Sequence, residues 1–106
     1  MIETRFLIPL KNNDGLAYLR TDFIELEDRL LDQFGGWTHM ADVDGTWRSD
    51  TGVVYRDFSS QYLVTLRSWR QTAEFLGVLD WARVKFEQEA IMVTIAGVPE
   101  ILGPSS

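Results

Sequence analysis

Phe34-Gly35-Gly36-Trp37-Thr38 stands where helical spacing ends and strand-like spacing begins. Two adjacent glycines let the backbone leave a helix and turn sharply into a sheet, because glycine reaches left-handed angles at little steric cost. Upstream of this pivot, Leu19, Phe23, Leu26, Leu30 and Phe34 recur at intervals of three and four, one apolar stripe. The spacing predicts a helix over residues 22–34, with Thr21 as N-cap, Asp22 and Glu25 in the first turn, and Gly35 just past the end. Whether residues 15–21 extend it is left open by the pattern.

Downstream, residues 37–48 are strand-like but interrupted by Asp44-Gly45, which reads as a tight turn. Ser49-Asp50-Thr51-Gly52 reads as a second turn. Residues 53–67 then form a long strand, with Tyr62, Val64 and Leu66 on one face and Leu63 and Thr65 on the other. Asp57-Phe58-Ser59-Ser60 breaks the alternation as a bulge would.

Further out on both sides the pattern repeats. Residues 5–10 are short and apolar, a first strand with Pro9 near its end, followed by the polar turn cluster of residues 11–15. Residues 68–88 return to helical spacing through Ala73, Leu76, Leu79, Ala82 and Phe86, widened by Phe75 and Val78. Trp69 and Trp81 fall in that region as packing residues. Gly77 costs about 1 kcal/mol relative to alanine and permits close packing on a sheet. Residues 89–96 alternate as a last strand, and residues 97–102 are an extra strand or a docked tail.

The order strand, helix, strand, strand, helix, strand is that of a ferredoxin-like α+β sandwich. The expected fold is one domain over residues 1–103 with a frayed tail at 104–106. Four antiparallel strands carry two helices on one face. The other face is then bare, presenting Phe6 or Leu7, Trp37 or Thr38, Tyr62 or Leu63, and Met92 or Ile91. Such a face predicts a homo-oligomer, a dimer or trimer joined through the sheet.

Composition limits the chemistry. The 106-residue chain has no cysteine, which excludes disulfides, thiolate metal sites and cysteine nucleophiles. Its 16 acidic and 10 basic side chains give a net charge of −6, a field that repels nucleic acid and anionic membranes. The N-terminal residues lack a signal-peptide pattern, and no apolar run is long enough to span a bilayer. A cytoplasmic location is the expectation.

The motifs Phe34-Gly35-Gly36-x-Thr38, Gly45-x-Trp47, Gly52-Val53-Val54 with Asp57, and Gln88-Glu89-x-Ile91-x-Val93 resemble those of a family of small prokaryotic proteins of unknown function. The resemblance spans about residues 4–96 and implies a ferredoxin-like core without an established activity. A looser likeness, of fold alone, is to the PII-like and divalent-cation-tolerance proteins.

Candidate site residues cluster after the pivot. His39, the lone histidine, serves as a general base near neutral pH or as a plain surface residue of a strand. Trp37, Trp47, His39, Tyr55 and Arg56 are candidates to line a ligand pocket with aromatic walls, and Asp57 is a second candidate base. The alternative for the two indoles is to cap the core or fill an oligomer interface. Asp42-x-Asp44-Gly45 opens like a calcium loop, but a glycine at the sixth place and a glutamate at the twelfth are missing. Neither a metal nor a cofactor is therefore expected.

Three functions remain. The leading one is a non-enzymatic oligomer that binds a small molecule or a protein. The second is a cofactor-free enzyme of the dimeric α/β-barrel kind, akin to small monooxygenases or isomerases, with a pocket at the sheet face. The third is docking of a basic partner on the acidic helix face of Asp22, Glu25, Asp28 and Asp32.

Overall fold

The computed structural model of the chain describes residues 1–48 and 50–103; the tail expected at 104–106 lies outside the described residues. The chain runs β1 (Ile2–Pro9), α1 (Arg20–Phe34), β2 (Thr38–Arg48), β3 (Val54–Leu66), a 3-10 turn (Trp69–Gln71), α2 (Thr72–Lys85), β4 (Ile91–Ile95) and β5 (Val98–Leu102). All strand pairings are antiparallel, in the order β2-β3-β1-β4-β5.

This five-stranded sheet corrects the expected four-stranded one. The first four strands pair in the order β2-β3-β1-β4 within a βαββαβ-like arrangement, and residues 98–102 add a fifth at the edge. The cause is local. Ala96 (φ 51) and Gly97 (φ 80) are both left-handed, the geometry of a two-residue hairpin turn whose twist matches that of the strands. The chain therefore folds straight back, pairing Ile95 with Val98 and Ile91 with Leu102. Pro99 is tolerated because β5 is an edge strand.

Helix α1 begins two residues earlier than the spacing predicts, and Thr21 lies inside it. Leu19 is the N-cap residue, and the Asp22 carboxylate reaches back to accept from its backbone N–H at 3.0 Å. Gly35, at φ 82, closes the helix by donating to the Leu31 carbonyl at 2.9 Å. Of the two pivot glycines, Gly35 takes the left-handed angle and Gly36 does not.

The β2–β3 hairpin is longer than expected. Asp44 and Gly45 do not turn; they stand inside the ladder opposite Phe58 and Asp57. Pairing continues to Arg48 opposite Val54, so the reversal comes after both Trp47 and Arg48. The irregularity lies on β2, between His39 and Ala41, and not at Asp57-Phe58-Ser59-Ser60.

Strand register settles which face is covered. Phe6, Ile8, Tyr62, Val64, Leu66, Ile91 and Val93 face the helices and are buried with Phe23, Leu26, Leu30 and Phe34 of α1. Phe75, Val78, Leu79 and Ala82 of α2, with Phe86 beyond it, complete the core. At roughly 1.5–3 kcal/mol for each large apolar side chain, this cluster is the main stabilising term. Buried Thr4 is satisfied by donating to the Val64 carbonyl at 2.7 Å. The uncovered face carries Leu7, Thr38, Leu63 and Met92, along with the Glu3–Arg5 ion pair at 3.0 Å. It is mixed in polarity rather than wholly apolar.

Two packing expectations for the second helix fail. Trp69 is 70% exposed in the 3-10 turn, because the helical phase starts only at Thr72. Gly77 faces open space, with nothing within 4 Å of the position a Cβ would take. Trp81 does pack against the core, under the Arg29 guanidinium 3.8 Å from its ring centroid.

Candidate functional site

Tyr62 stands on β3, between β2 and β1, on the helix-facing side of the sheet. Its ring stacks on Phe6 at 5.5 Å, which fixes the direction of the hydroxyl. That hydroxyl donates to Glu27 Oε2 at 2.7 Å. Glu27 comes from the buried stripe of α1 and is only 5% exposed. A carboxylate taken this far from water needs partners. Its second partner is Arg20, two helical turns earlier, whose guanidinium donates to Oε1 at 3.0 Å and to Oε2 at 3.3 Å.

β2 supplies the other wall. Register sets His39 directly opposite Tyr62, with the two rings 5.7 Å apart. The irregularity after His39 lets Asp42 come round to it, and His39 Nε2 lies 3.1 Å from Asp42 Oδ1. Trp37 meets Tyr62 edge to face at 5.9 Å.

The segment after β1 closes the remaining side. Asn12 Oδ1 accepts from the backbone N–H groups of Asp14 (2.9 Å) and Leu16 (3.0 Å), which ties the turn to itself. The Tyr18 backbone N–H donates to the Leu10 carbonyl at 3.0 Å. The Tyr18 hydroxyl donates to the Phe86 carbonyl, and the two rings pack edge to face at 5.0 Å.

These elements enclose an open cleft of about 500 Å³. Leu10, Tyr18, Phe23 and Trp37 are its apolar and aromatic lining. Arg20, Glu27, His39, Asp42, Ser60 and Tyr62 supply its polar groups. Burial, with help from the Glu27 carboxylate as hydrogen-bond acceptor and neighbouring charge, pushes the Tyr62 phenol well above its ordinary pKa. Burial also raises that of Tyr18. Both phenols therefore stay protonated as donors across the physiological range.

The candidate residues divide between two places. Trp37 and His39 line the cleft. Trp47, Tyr55, Arg56 and Asp57 do not; they belong to the far half of the β2–β3 hairpin. There Trp47 stacks on Tyr55 at 4.8 Å, and its indole N–H donates to Asp57 Oδ2 at 2.8 Å. Sequence reasoning placed neither Glu27 nor Arg20 in a site. A signal existed, since Glu27 falls four places after Phe23 and three before Leu30, a carboxylate inside the apolar stripe.

The acidic helix face is partly engaged within the chain. Lys85 of α2 reaches Glu25 at 2.6 Å and Asp22 at 3.5 Å. The hydrogen bond to Glu25 is the main cause of the raised pKa of this lysine. Among the described residues, no group of three or more histidine or carboxylate side chains is arranged to hold a metal ion. Nor is any helix long and apolar enough to cross a membrane.

The cleft combines the Glu27 carboxylate, held by Arg20 and Tyr62, with ring faces of the kind that take a planar group or a soft cation. No protein-family model and no curated protein matches the chain. Among solved structures, the fold is similar to a phage SAM lyase in complex with S-methyl-5'-thioadenosine, with a TM-score of 0.73 and 17% identity over 99% of this chain and 89% of that one. The apo form of a phage SAM lyase gives a TM-score of 0.71 and 16% identity over the same shares. Identity this low shows a common fold. The leading expectation of a non-enzymatic binding module is corrected by these two neighbours in fold, both structures of an enzyme.

Proposed function

We propose that this chain is a cofactor-free enzyme that cleaves S-adenosylmethionine and releases S-methyl-5'-thioadenosine. The observation that carries the reading is the Glu27 carboxylate, buried beside Tyr62 in an aromatic-walled cleft. The likeness of fold to a SAM lyase bound to that thioether supports it.

The substrate joins an amino acid, a nucleoside and a sulfonium. Glu27 suits the α-ammonium group, which keeps its charge throughout the reaction. The sulfonium suits the rings of Trp37 and Tyr62. Cleavage breaks the bond between sulfur and the γ-carbon of the amino-acid arm, and the electron pair goes to sulfur. A cation thereby becomes a neutral thioether. A carboxylate set against the sulfonium would stabilise the ground state more than the transition state and slow that step. Aromatic walls bind the cation without opposing its discharge as strongly.

The arm leaves in one of two ways. Elimination needs a base, and His39, oriented by Asp42 at 3.1 Å, is the candidate in the cleft. Displacement by the arm's own carboxylate needs no base and gives a lactone. The mass of the second product separates the two routes. The test is incubation of purified protein with S-adenosylmethionine, with both products followed by mass spectrometry. Catalytic release of the thioether, strongly reduced in Glu27→Gln, is expected. Folded protein that releases no more thioether than buffer alone would sink the reading.

The uncovered sheet face supports a second proposal, that the chain works as a homo-oligomer joined there. Arg5 pairs with Leu63 and Leu7 with Gln61, so Leu7 and Leu63 are diagonal neighbours at the middle of that face. Native mass spectrometry reads the oligomer directly. Leu63→Glu is expected to shift it to monomer, and an unchanged assembly would rule out this face.

A further inference from the structure

Arg20 occupies an unusual place. It is the first residue of α1, where the helix dipole disfavours a cation. Its side chain runs along two turns of the helix to Glu27, seven residues on. The two ends of the pair differ sharply in burial: the Arg20 side chain is 68% exposed, that of Glu27 only 6%. A long, flexible, solvated cation thus covers a fixed, buried anion. The other partner of Glu27, the Tyr62 hydroxyl, comes from β3 and not from the helix that carries Arg20.

The geometry points to Arg20 as an exchangeable counter-ion of Glu27, a latch that a ligand's ammonium group displaces. This rests on reading the cleft as the ligand site. With the cleft empty, the guanidinium neutralises the carboxylate, so the buried charge is not left alone. A ligand bearing an ammonium takes over that role, and Arg20 swings out into water at little cost because it is already mostly solvated. A ligand without a cationic group has nothing to exchange, and the latch stays shut over Glu27.

The device selects substrate over product in the proposed reaction. S-Adenosylmethionine carries an α-ammonium, whereas S-methyl-5'-thioadenosine has none. Once the amino-acid arm has departed, Arg20 returns to Glu27 and the thioether keeps only its contacts with the walls. The other charged or titratable groups lining the cleft are His39 and Asp42, paired with each other at 3.1 Å, and the phenols of Tyr18 and Tyr62. None of them is a second permanent cation able to take the place of Arg20.

The test uses methylammonium as the smallest probe, titrated at constant ionic strength. The ring signals of His39 report it, and they are unambiguous because the chain has one histidine. In Arg20→Gln the half-saturating concentration is expected to fall roughly fivefold below wild type, the upper range for freeing an ion pair with one exposed partner. Arg20→Gln combined with Glu27→Gln is expected to lose the saturable response. Arg20→Lys, which keeps the charge but not the two-pronged contact, should fall between wild type and Arg20→Gln. Equal responses in wild type and Arg20→Gln, weaker binding in Arg20→Gln, or no saturable response in it would each overturn the latch. Failure of Arg20→Gln to fold would also overturn it, since the pair would then be a structural clamp. Methylammonium binding as expected, with no cleavage of S-adenosylmethionine by wild type, would leave the latch standing and remove the proposed reaction.

Discussion

The two halves of the β2–β3 hairpin use the same chemistry to different ends. Each half stacks a tyrosine of β3 on another aromatic ring: Tyr62 on Phe6 at 5.5 Å, Tyr55 on Trp47 at 4.8 Å. Each places a donor on a carboxylate: Tyr62 on Glu27 at 2.7 Å, Trp47 on Asp57 at 2.8 Å. Yet Tyr62 is 1% exposed and Tyr55 44%. The cause is what lies alongside. Near the pivot, β3 has β1 on its other edge and α1 above it. The β1–β3 pairing ends at Pro9 opposite Ser59, with one further hydrogen bond from the Leu10 N–H to the Phe58 carbonyl. Beyond that the hairpin is two strands with water on both faces. The same contacts form a site where they are buried and an arm where they are not.

The largest expected difference between the halves is in activity. Glu27→Gln keeps the size of the side chain and an oxygen to accept from Tyr62, but removes the charge. Turnover of S-adenosylmethionine, measured as kcat/KM, is expected to fall on the order of 10²-fold, as for loss of a charged contact in a dry site. Asp57→Asn makes the same change in the arm and is expected to leave turnover within about twofold, below any effect that would mark a binding role. A large loss in Asp57→Asn would restore the single pocket that the sequence suggested.

That single pocket shows where sequence reading stops. Spacing alone located both helices, the pivot at Gly35, and the alternation that buries Tyr62, Val64 and Leu66. These features are legible because each depends on a period within one element. The fifth strand depends instead on Ala96 adopting a left-handed angle, which alanine rarely signals. Asp44-Gly45 looked like a turn, but pairing of Trp47 with Tyr55 and Arg48 with Val54 carries the ladder past it. The cleft is legible only in part: Trp37 and His39 line it, whereas Trp47 and Tyr55, which share the β-region after the pivot in sequence, stand on the far half of the hairpin. Glu27 was hidden because its partner Tyr62 is 35 residues away, and only register brings the two together.

The next difference is in stability and its dependence on pH. Tyr62→Phe removes a donor from a buried carboxylate and is expected to cost about 1–3 kcal/mol in denaturant unfolding at neutral pH. Because the folded pKa of Tyr62 is raised above the unfolded value of 10.0, the native state holds that proton more tightly. The resulting stabilisation is complete below pH 10 and is lost as pH climbs from there through the folded pKa. Wild type should therefore lose stability steeply above pH 10, and Tyr62→Phe should lose less over the same range. Burial of Tyr18 adds a smaller slope of the same sign. Parallel alkaline curves for the two proteins would show that burial, with the Glu27 contact beside it, does not hold the Tyr62 proton.

The smallest expected effect is in the arm. Trp47 is 51% exposed, so truncating it returns little apolar surface to water. What Trp47→Ala loses is the cross-strand stack on Tyr55 and a solvent-screened hydrogen bond to Asp57. Cross-strand aromatic pairs contribute roughly 0.2–1 kcal/mol, and the stability of the isolated chain should drop by no more than about 1 kcal/mol. A double-mutant cycle of Trp47→Ala with Tyr55→Ala measures the stack itself. Pairing with Tyr62→Phe serves as control, since that site lies on the other half of the hairpin and its effect should simply add. Coupling confined to Trp47 and Tyr55 would establish the arm as an energetically separate unit. Coupling that reaches Tyr62 would mean that the arm sets the register of β2 and β3, and with it the distance from His39 to Tyr62 on which the cleft depends.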